Sequence, residues 1–189
     1  SRCRRARGCA RASSCREPNS ACSRCASLRP AIDDSERDRA SRLPYLQLIG
    51  SLLYLSCLTR PDIAYHMSVL CSMMHDPTVA AYDAAIDLLL YVRDSSNAYL
   101  HFPGTPVSPP NLPPKLAENI QNQRGLHAFS DASWHKPNSM GYNMYGYAVY
   151  FYGGIVSYCS KQIKVVALSS AEAEYAAAAH TTREVLFVQ

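Results

Sequence analysis

The strongest constraint on the fold lies in residues 145–160. Two tyrosine-rich apolar runs, Tyr145 to Tyr152 and Ile155 to Ser160, are separated by Gly153-Gly154. Glycine reaches the positive φ of a tight turn without steric cost, so two β-type runs flanking a glycine pair predict a hairpin. A third apolar run, Leu126 to Ser133, precedes the hairpin, and an alanine-rich stretch, Ala171 to Val188, follows it. Alanine is the best helix former, so this stretch is expected to be a long helix. The order is therefore β-β-β-α, an α/β arrangement within residues 126–189.

The preceding segment, residues 43–102, has a different period. Tyr45, Leu48, Ile49, Leu52, Leu53 and Ser56 recur at i, i+3, i+4 and i+7 spacing, which predicts a helix. Pro61 separates it from a second helix, Asp62 to about Met74. Asp76-Pro77 breaks the chain again, and a third helix is expected from about Val79 to Arg93, burying Tyr82, Ile86, Leu89, Leu90 and Tyr91. Three short helices with tight connections predict a small bundle. Residues 103–125 hold six prolines and read as an extended linker between the two units.

Residues 1–42 stand apart. They carry 11 of the 15 arginines against five acids, a balance of +6, whereas residues 43–189 carry eight Lys/Arg against ten acids, a balance of −2. With few aliphatic residues, this leader is expected to be disordered. Its acid-free first 16 residues superficially resemble a transit peptide or a nuclear-localisation patch, but the preferred reading is an unselected or out-of-frame stretch fused to the body. Five of the eight cysteines lie here, including Cys22-Ser23-Arg24-Cys25, but no histidine occurs before His66, so a structural zinc site is not expected. Isolated cysteines at 57, 71 and 159 suit a reduced compartment. The most apolar stretch, Leu46 to Leu58, is shorter than the roughly 18 residues that span a bilayer. An intracellular location without a membrane partner is the expectation.

Two motifs carry chemistry. Ser130-Asp131-Ala132-Ser133-Trp134 ends the first predicted strand, and Leu168-Ser169-Ser170-Ala171-Glu172-Ala173-Glu174-Tyr175 opens the long helix. A strand-end aspartate facing a helix-borne glutamate can hold a divalent cation, because hard ions such as Mg2+ or Mn2+ choose carboxylate oxygens. Glu172 and Glu174 are two positions apart, about 200° around a helix, so only one can face a shared metal. Ser169 to Glu172 has the form of a capping box, which assigns Glu172 to the helix end and leaves Glu174 for the site.

These motifs resemble the ribonuclease H domain of the copia-type (Ty1/copia) LTR retrotransposon polyproteins. The upstream motifs Gly50 to Leu55, Thr59-Arg60-Pro61-Asp62-Ile63-Ala64-Tyr65 and Ala84 to Val92 resemble the stretch that follows the polymerase palm in the same family. Tyr82-Asp83 departs from the His-Trp pair usual there. The resemblance implies an incomplete ribonuclease H-like fold over residues 126–189, behind a thumb- or connection-like helical segment and the rest of the Pol polyprotein. It implies Mg2+-dependent hydrolysis of the RNA strand of an RNA–DNA hybrid, with Asp131 and Glu174 as metal-holding catalytic carboxylates. Lys161 and Lys164 would contact backbone phosphate, with Arg60 a weaker candidate. No Tyr-x-Asp-Asp polymerase motif is present, and the family's later carboxylates are not found by Gln189, so this stretch is expected to be inactive alone. The alternative is a non-catalytic nucleic-acid-binding remnant whose arginine leader supplies nonspecific affinity.

Overall fold

The computed structural model describes residue 25, residues 28–29, 33–134, 143–163 and 167–189. Helix α1 spans Asp34–Ser41, α2 Tyr45–Leu58, α3 Ala64–Ser72 and α4 Val79–Asp94, with a 3-10 turn, Pro61–Ile63, leading into α3. Helix α5, Pro114–Asn122, precedes strands β1 His127–Ala132, β2 Met144–Phe151 and β3 Gly154–Gln162, and α6 covers Ser170–Val188. The sheet is antiparallel in the order β1-β2-β3. No helix among the described residues is long and apolar enough to cross a membrane.

The helical unit closes around its own core. Tyr45, Ile49 and Leu52 of α2 meet Met67, Val69 and Leu70 of α3 and Ala81, Ala84, Ala85 and Leu88 of α4. The Tyr45 hydroxyl donates to the Leu70 carbonyl at 2.8 Å, which gives that buried oxygen a second donor beside the Met73 amide at 3.0 Å and ties α2 to the end of α3. Thr78 caps α4 by accepting from the Ala81 amide at 3.0 Å. The buried face of α4 differs from the expected one: Leu89 and Leu90 are exposed, and three alanines and Leu88 face inward instead. Alanine allows the helix axes to approach closely, and the larger residues are left on the flank.

Two expectations about the segments around this unit are corrected. Residues 34–41 of the leader, expected to be disordered, form α1, whose N-cap is Asp33. Arg37 ties α1 to the 76–77 break through Asp76 at 3.3 Å, and Cys25 and Leu28 lie inside the helical core. Asp33 and Asp34 are exposed, and Asp33 accepts from the Ser35 amide at 3.4 Å and so starts the helix. Of the cysteine pair, Cys25 is packed as an apolar side chain, while Cys22 lies outside the described residues. The remaining leader positions, with Cys3, Cys9 and Cys15, also lie outside them.

Residues 103–125 are more than a spacer, since they contain α5 and a strap laid across the β2–β3 turn. A methyl group added at Gly154 would overlap the ring of Phe102, and one at Gly153 would fall 2.6 Å from Pro103 Cγ. Gly125, just past the end of α5, is covered less tightly by Pro106, 3.0 Å from the position of such a group. The turn itself is shifted by one residue from the sequence expectation. Phe151 pairs with Gly154, so Tyr152 and Gly153 are the turn residues, with φ of 49° and 78°. Positive φ at both positions defines a type I′ turn.

Candidate carboxylate site

Strand β1 and helix α6 present the two carboxylates. Helix α6 starts at Ser169, whose side chain accepts from the Glu172 amide at 3.2 Å, while the Glu172 carboxylate accepts from the Leu168 amide at 2.6 Å. Glu172 therefore does cap the helix, reaching back one residue further than a standard capping box. Ala173, Ala177 and Thr181 recur every four residues and form the buried stripe of α6. Glu174 stands one residue past this stripe and is exposed.

The Ser-Asp-Ala-Ser-Trp motif locks the end of β1 to its surroundings. The Ser133 amide donates to the Met144 carbonyl at 2.8 Å, and the Met144 amide donates to Ser133 Oγ at 2.8 Å, closing the β1–β2 ladder. Trp134 Nε1 donates to the Ala167 carbonyl at 3.2 Å, which anchors the approach to α6 beside the end of β1. Sequence reading missed both roles; an indole and a hydroxyl directly after a strand are the signal for such a closure.

Strand alternation decides what faces α6. Ala132 pairs with Tyr145 and packs with it against Ala173 and Ala177, so Ala128 and Ser130 share that face of the sheet. Asp131 belongs with His127 and Phe129 to the other face, where His127 stacks on Tyr150 at 5.1 Å and Phe129 meets the same ring edge-on at 6.0 Å. A shallow depression of about 370 Å3 brings Glu174 together with Ser130, Ala171, Tyr175 and Ala178. Asp131 is exposed and does not line it. The expected pair thus lies on adjoining elements but on the two sides of β1. No group of three His, Cys, Asp or Glu side chains among the described residues is close enough to hold a metal ion.

The basic candidates separate as well. Lys161 is exposed near the end of β3, opposite Tyr145 on β2, and Lys164 lies outside the described residues. Arg60 is a correction: it is 5 % exposed and its donors are committed within the protein. Its Nε and Nη2 donate to Asp62 at 2.9 and 2.7 Å, and Nη1 and Nη2 donate to the carbonyl and hydroxyl of Ser95 at 3.2 and 2.6 Å. A guanidinium buried this way joins the start of α3 to the end of α4, with four of its five N–H groups engaged and almost no surface to offer a phosphate. Burial works to raise the Asp62 carboxyl, but hydrogen bonds from Arg60 and Tyr91 outweigh it and hold the group below the usual carboxylate range.

Comparison with known proteins yields sequence relatives alone; no family model and no solved structure matches. The chain is 30 % identical over 155 residues to the retrovirus-related Pol polyprotein from transposon TNT 1-94 of Nicotiana tabacum, covering 82 % of this chain and 10 % of that one. It is 34 % identical over 144 residues to the retrovirus-related Pol polyprotein from transposon RE2 of Arabidopsis thaliana, covering 76 % of this chain and 9 % of that one. The chain thus spans about a tenth of the length of these polyproteins. It is also 30 % identical over 146 residues to secreted RxLR effector protein 161 of Plasmopara viticola, covering 77 % of this chain and 92 % of that one. The same stretch therefore makes up nearly the whole of another protein.

Proposed function

Because the chain belongs to the retrovirus-related Pol polyproteins of copia-type transposons, we propose that residues 126–189 are part of a ribonuclease H-like unit. Residues 43–102 are then the helical stretch that joins it to the reverse transcriptase. The activity served is hydrolysis of the RNA strand of an RNA–DNA hybrid. One observation carries this reading: an antiparallel β1-β2-β3 sheet whose first strand bears Asp131, followed by a helix laid on one face that brings Glu174 beside Ser130. The order of elements and the placing of a carboxylate on each are what a strand-and-helix metal site is built from.

As the residues stand, the donor set does not fit a two-metal centre. Such a centre holds two ions about 3.5–4 Å apart between several carboxylates, which stabilise the attacking and leaving oxygens. Here Glu174 shares its depression with a serine, and Asp131 lies across the strand. Mg2+ or Mn2+ would be held weakly by either carboxylate alone. Residues 1–189 are therefore expected not to cleave an RNA–DNA hybrid. The test is an assay of the purified chain in Mg2+ and in Mn2+, beside a matched Asp131→Asn, Glu174→Gln control. Turnover above the control would overturn the expectation of inactivity. Binding of the hybrid in preference to duplex DNA, without cleavage, would support a ribonuclease H-derived surface, and equal binding would reduce the chain to a nonspecific polyanion binder.

A further inference from the structure

On the flank of α6 away from Glu174 lies a second concavity. It measures about 410 Å3 and is lined by Tyr145, Tyr147, Lys161, His180, Arg183 and Glu184. Two local patterns build it. His180, Arg183 and Glu184 are spaced i, i+3 and i+4, which puts all three on one side of α6. Tyr145 and Tyr147 are alternate residues of β2, and Lys161 is the cross-strand partner of Tyr145. The His180 ring stacks on Tyr145 with centroids 4.8 Å apart and planes at 20°, and Arg183 donates to its Nδ1. The guanidinium is thereby held over the cavity by a ring that is itself held by the sheet.

The charges are unbalanced. Lys161 and Arg183 are both exposed, and neither makes an ion pair with another described residue. The one carboxylate in the wall, Glu184, accepts from Ser157 Oγ at 3.3 Å. Burial pushes the hydroxyls of Tyr145 and Tyr147 up from their ordinary range, so both remain neutral groups able to donate at physiological pH. An ammonium, a guanidinium, an imidazole and two phenols converge on one small polar space. Tetrahedral oxyanions, with several acceptors around one centre, match such a donor set.

We propose that this cavity is a phosphate subsite in which Lys161 and Arg183 grip a phosphodiester of a bound nucleic-acid strand. That the strand belongs to an RNA–DNA hybrid rests on the function proposed above; the subsite itself stands on its own donors. Arg183 supplies the planar fork and Lys161 a mobile point charge, while His180 is a positioning residue that sets the guanidinium. The arrangement lies on the same helix as Glu174 but on its opposite flank.

The test uses the full chain and a short fluorescent RNA–DNA hybrid, with affinity measured across a salt series. Lys161→Ala with Arg183→Ala is compared with a charge-matched control, Arg93→Ala with Lys115→Ala, whose side chains lie elsewhere on the surface. The pocket variant should lose affinity by about tenfold or more. Its salt slope should fall by about 0.9 for the phosphate released. The control should lose less than about threefold. His180→Ala should weaken binding partway, and His180→Gln, which restores an acceptor for Arg183, should recover part of that loss. Equal losses in the two double variants would overturn the subsite. Duplex DNA and inorganic phosphate serve as competing ligands. A pocket-dependent loss that is equal for hybrid and duplex would keep the subsite and reject the hybrid reading. Displacement of the hybrid by millimolar inorganic phosphate, in the parent but not in the pocket variant, would show that free phosphate also enters.

Discussion

Arg60 allows the sharpest discrimination between a structural and a nucleic-acid role. Its side chain is 7 % exposed and that of Asp62 29 %, and the pair is extended by the Tyr91 hydroxyl, which donates to Asp62 at 2.9 Å. The guanidinium carbon also sits 5.5 Å from the centre of the Tyr91 ring. Removing one member of a buried ion pair costs about 3–5 kcal/mol, because the other is left without a partner. Water can reach the less buried Asp62, so Arg60→Ala should cost about 2–3 kcal/mol, at or just below the bottom of that range. For a chain of this size, about 2–4 °C per kcal/mol makes this a fall of roughly 5–10 °C in the midpoint of thermal unfolding followed by circular dichroism. Arg60→Met combined with Asp62→Leu should recover much of the loss, since a well-packed apolar pair replaces an ion pair at little net cost. The pH dependence follows from the depressed carboxyl of Asp62. The contribution is present above roughly pH 4 and is lost as the pH falls through the lower, folded-state value. Asp62→Asn should remove that acid dependence. An Arg60→Ala protein that unfolds within a degree of the parent, yet binds the hybrid more weakly, would refute the argument and return Arg60 to the nucleic-acid surface.

The remaining predictions concern the hairpin and the helix cap. Tyr152→Asn should stabilise the chain by about 0.5–1 kcal/mol in chemical denaturation, because asparagine tolerates the positive φ of 49° better than tyrosine does. Gly154→Ala should destabilise it and expose the strap to limited proteolysis near Phe102, and an uncleaved, equally stable variant would show that the strap is not held there. Glu172→Ala should cost about 1 kcal/mol through loss of the cap, whereas Glu174→Ala should leave thermal stability unchanged. Equal losses for the two glutamates would mean that the orientation of α6 is wrong.

What was legible in the sequence was whatever depends on near neighbours. The period of α2, the prolines before and after α3 and the apolar runs of β1 and β2 set most of the expected element boundaries to within a residue or two. The hairpin turn slipped by one because the β2–β3 register shifts between Val149 and Tyr150, a bulge that leaves no mark in composition. Arg60 passed for a phosphate contact because its partner Ser95 is 35 residues away in sequence. The strap looked like a linker because its partners, Gly153 and Gly154, are distant as well. The side of β1 that meets α6 did have a signal. Ala128, Ser130 and Ala132 are small and alternate with the larger His127 and Phe129, and small residues are what a closely approaching alanine-rich helix requires. Weighing that alternation would have put Asp131 on the far face.

The division into a helical unit and a strand-and-helix unit also needs a physical amendment. An antiparallel sheet in the order β1-β2-β3 leaves β3 as an edge, and an uncovered edge invites pairing with other chains. Here α3 lies along β3, and the Tyr158 hydroxyl donates to the Ser56 carbonyl of α2 at 2.7 Å. That carbonyl belongs to the third-last residue of α2, where helix oxygens begin to lack partners, so one bond serves both units. The strap adds a second tie, since Phe102 and Pro103 leave the helical unit and cover the tip of the same hairpin. Residues 126–189 therefore depend on residues 43–107 for one of their edges and for their turn. The two stretches that differ most in sequence pattern are held as one body by contacts that neither pattern encodes.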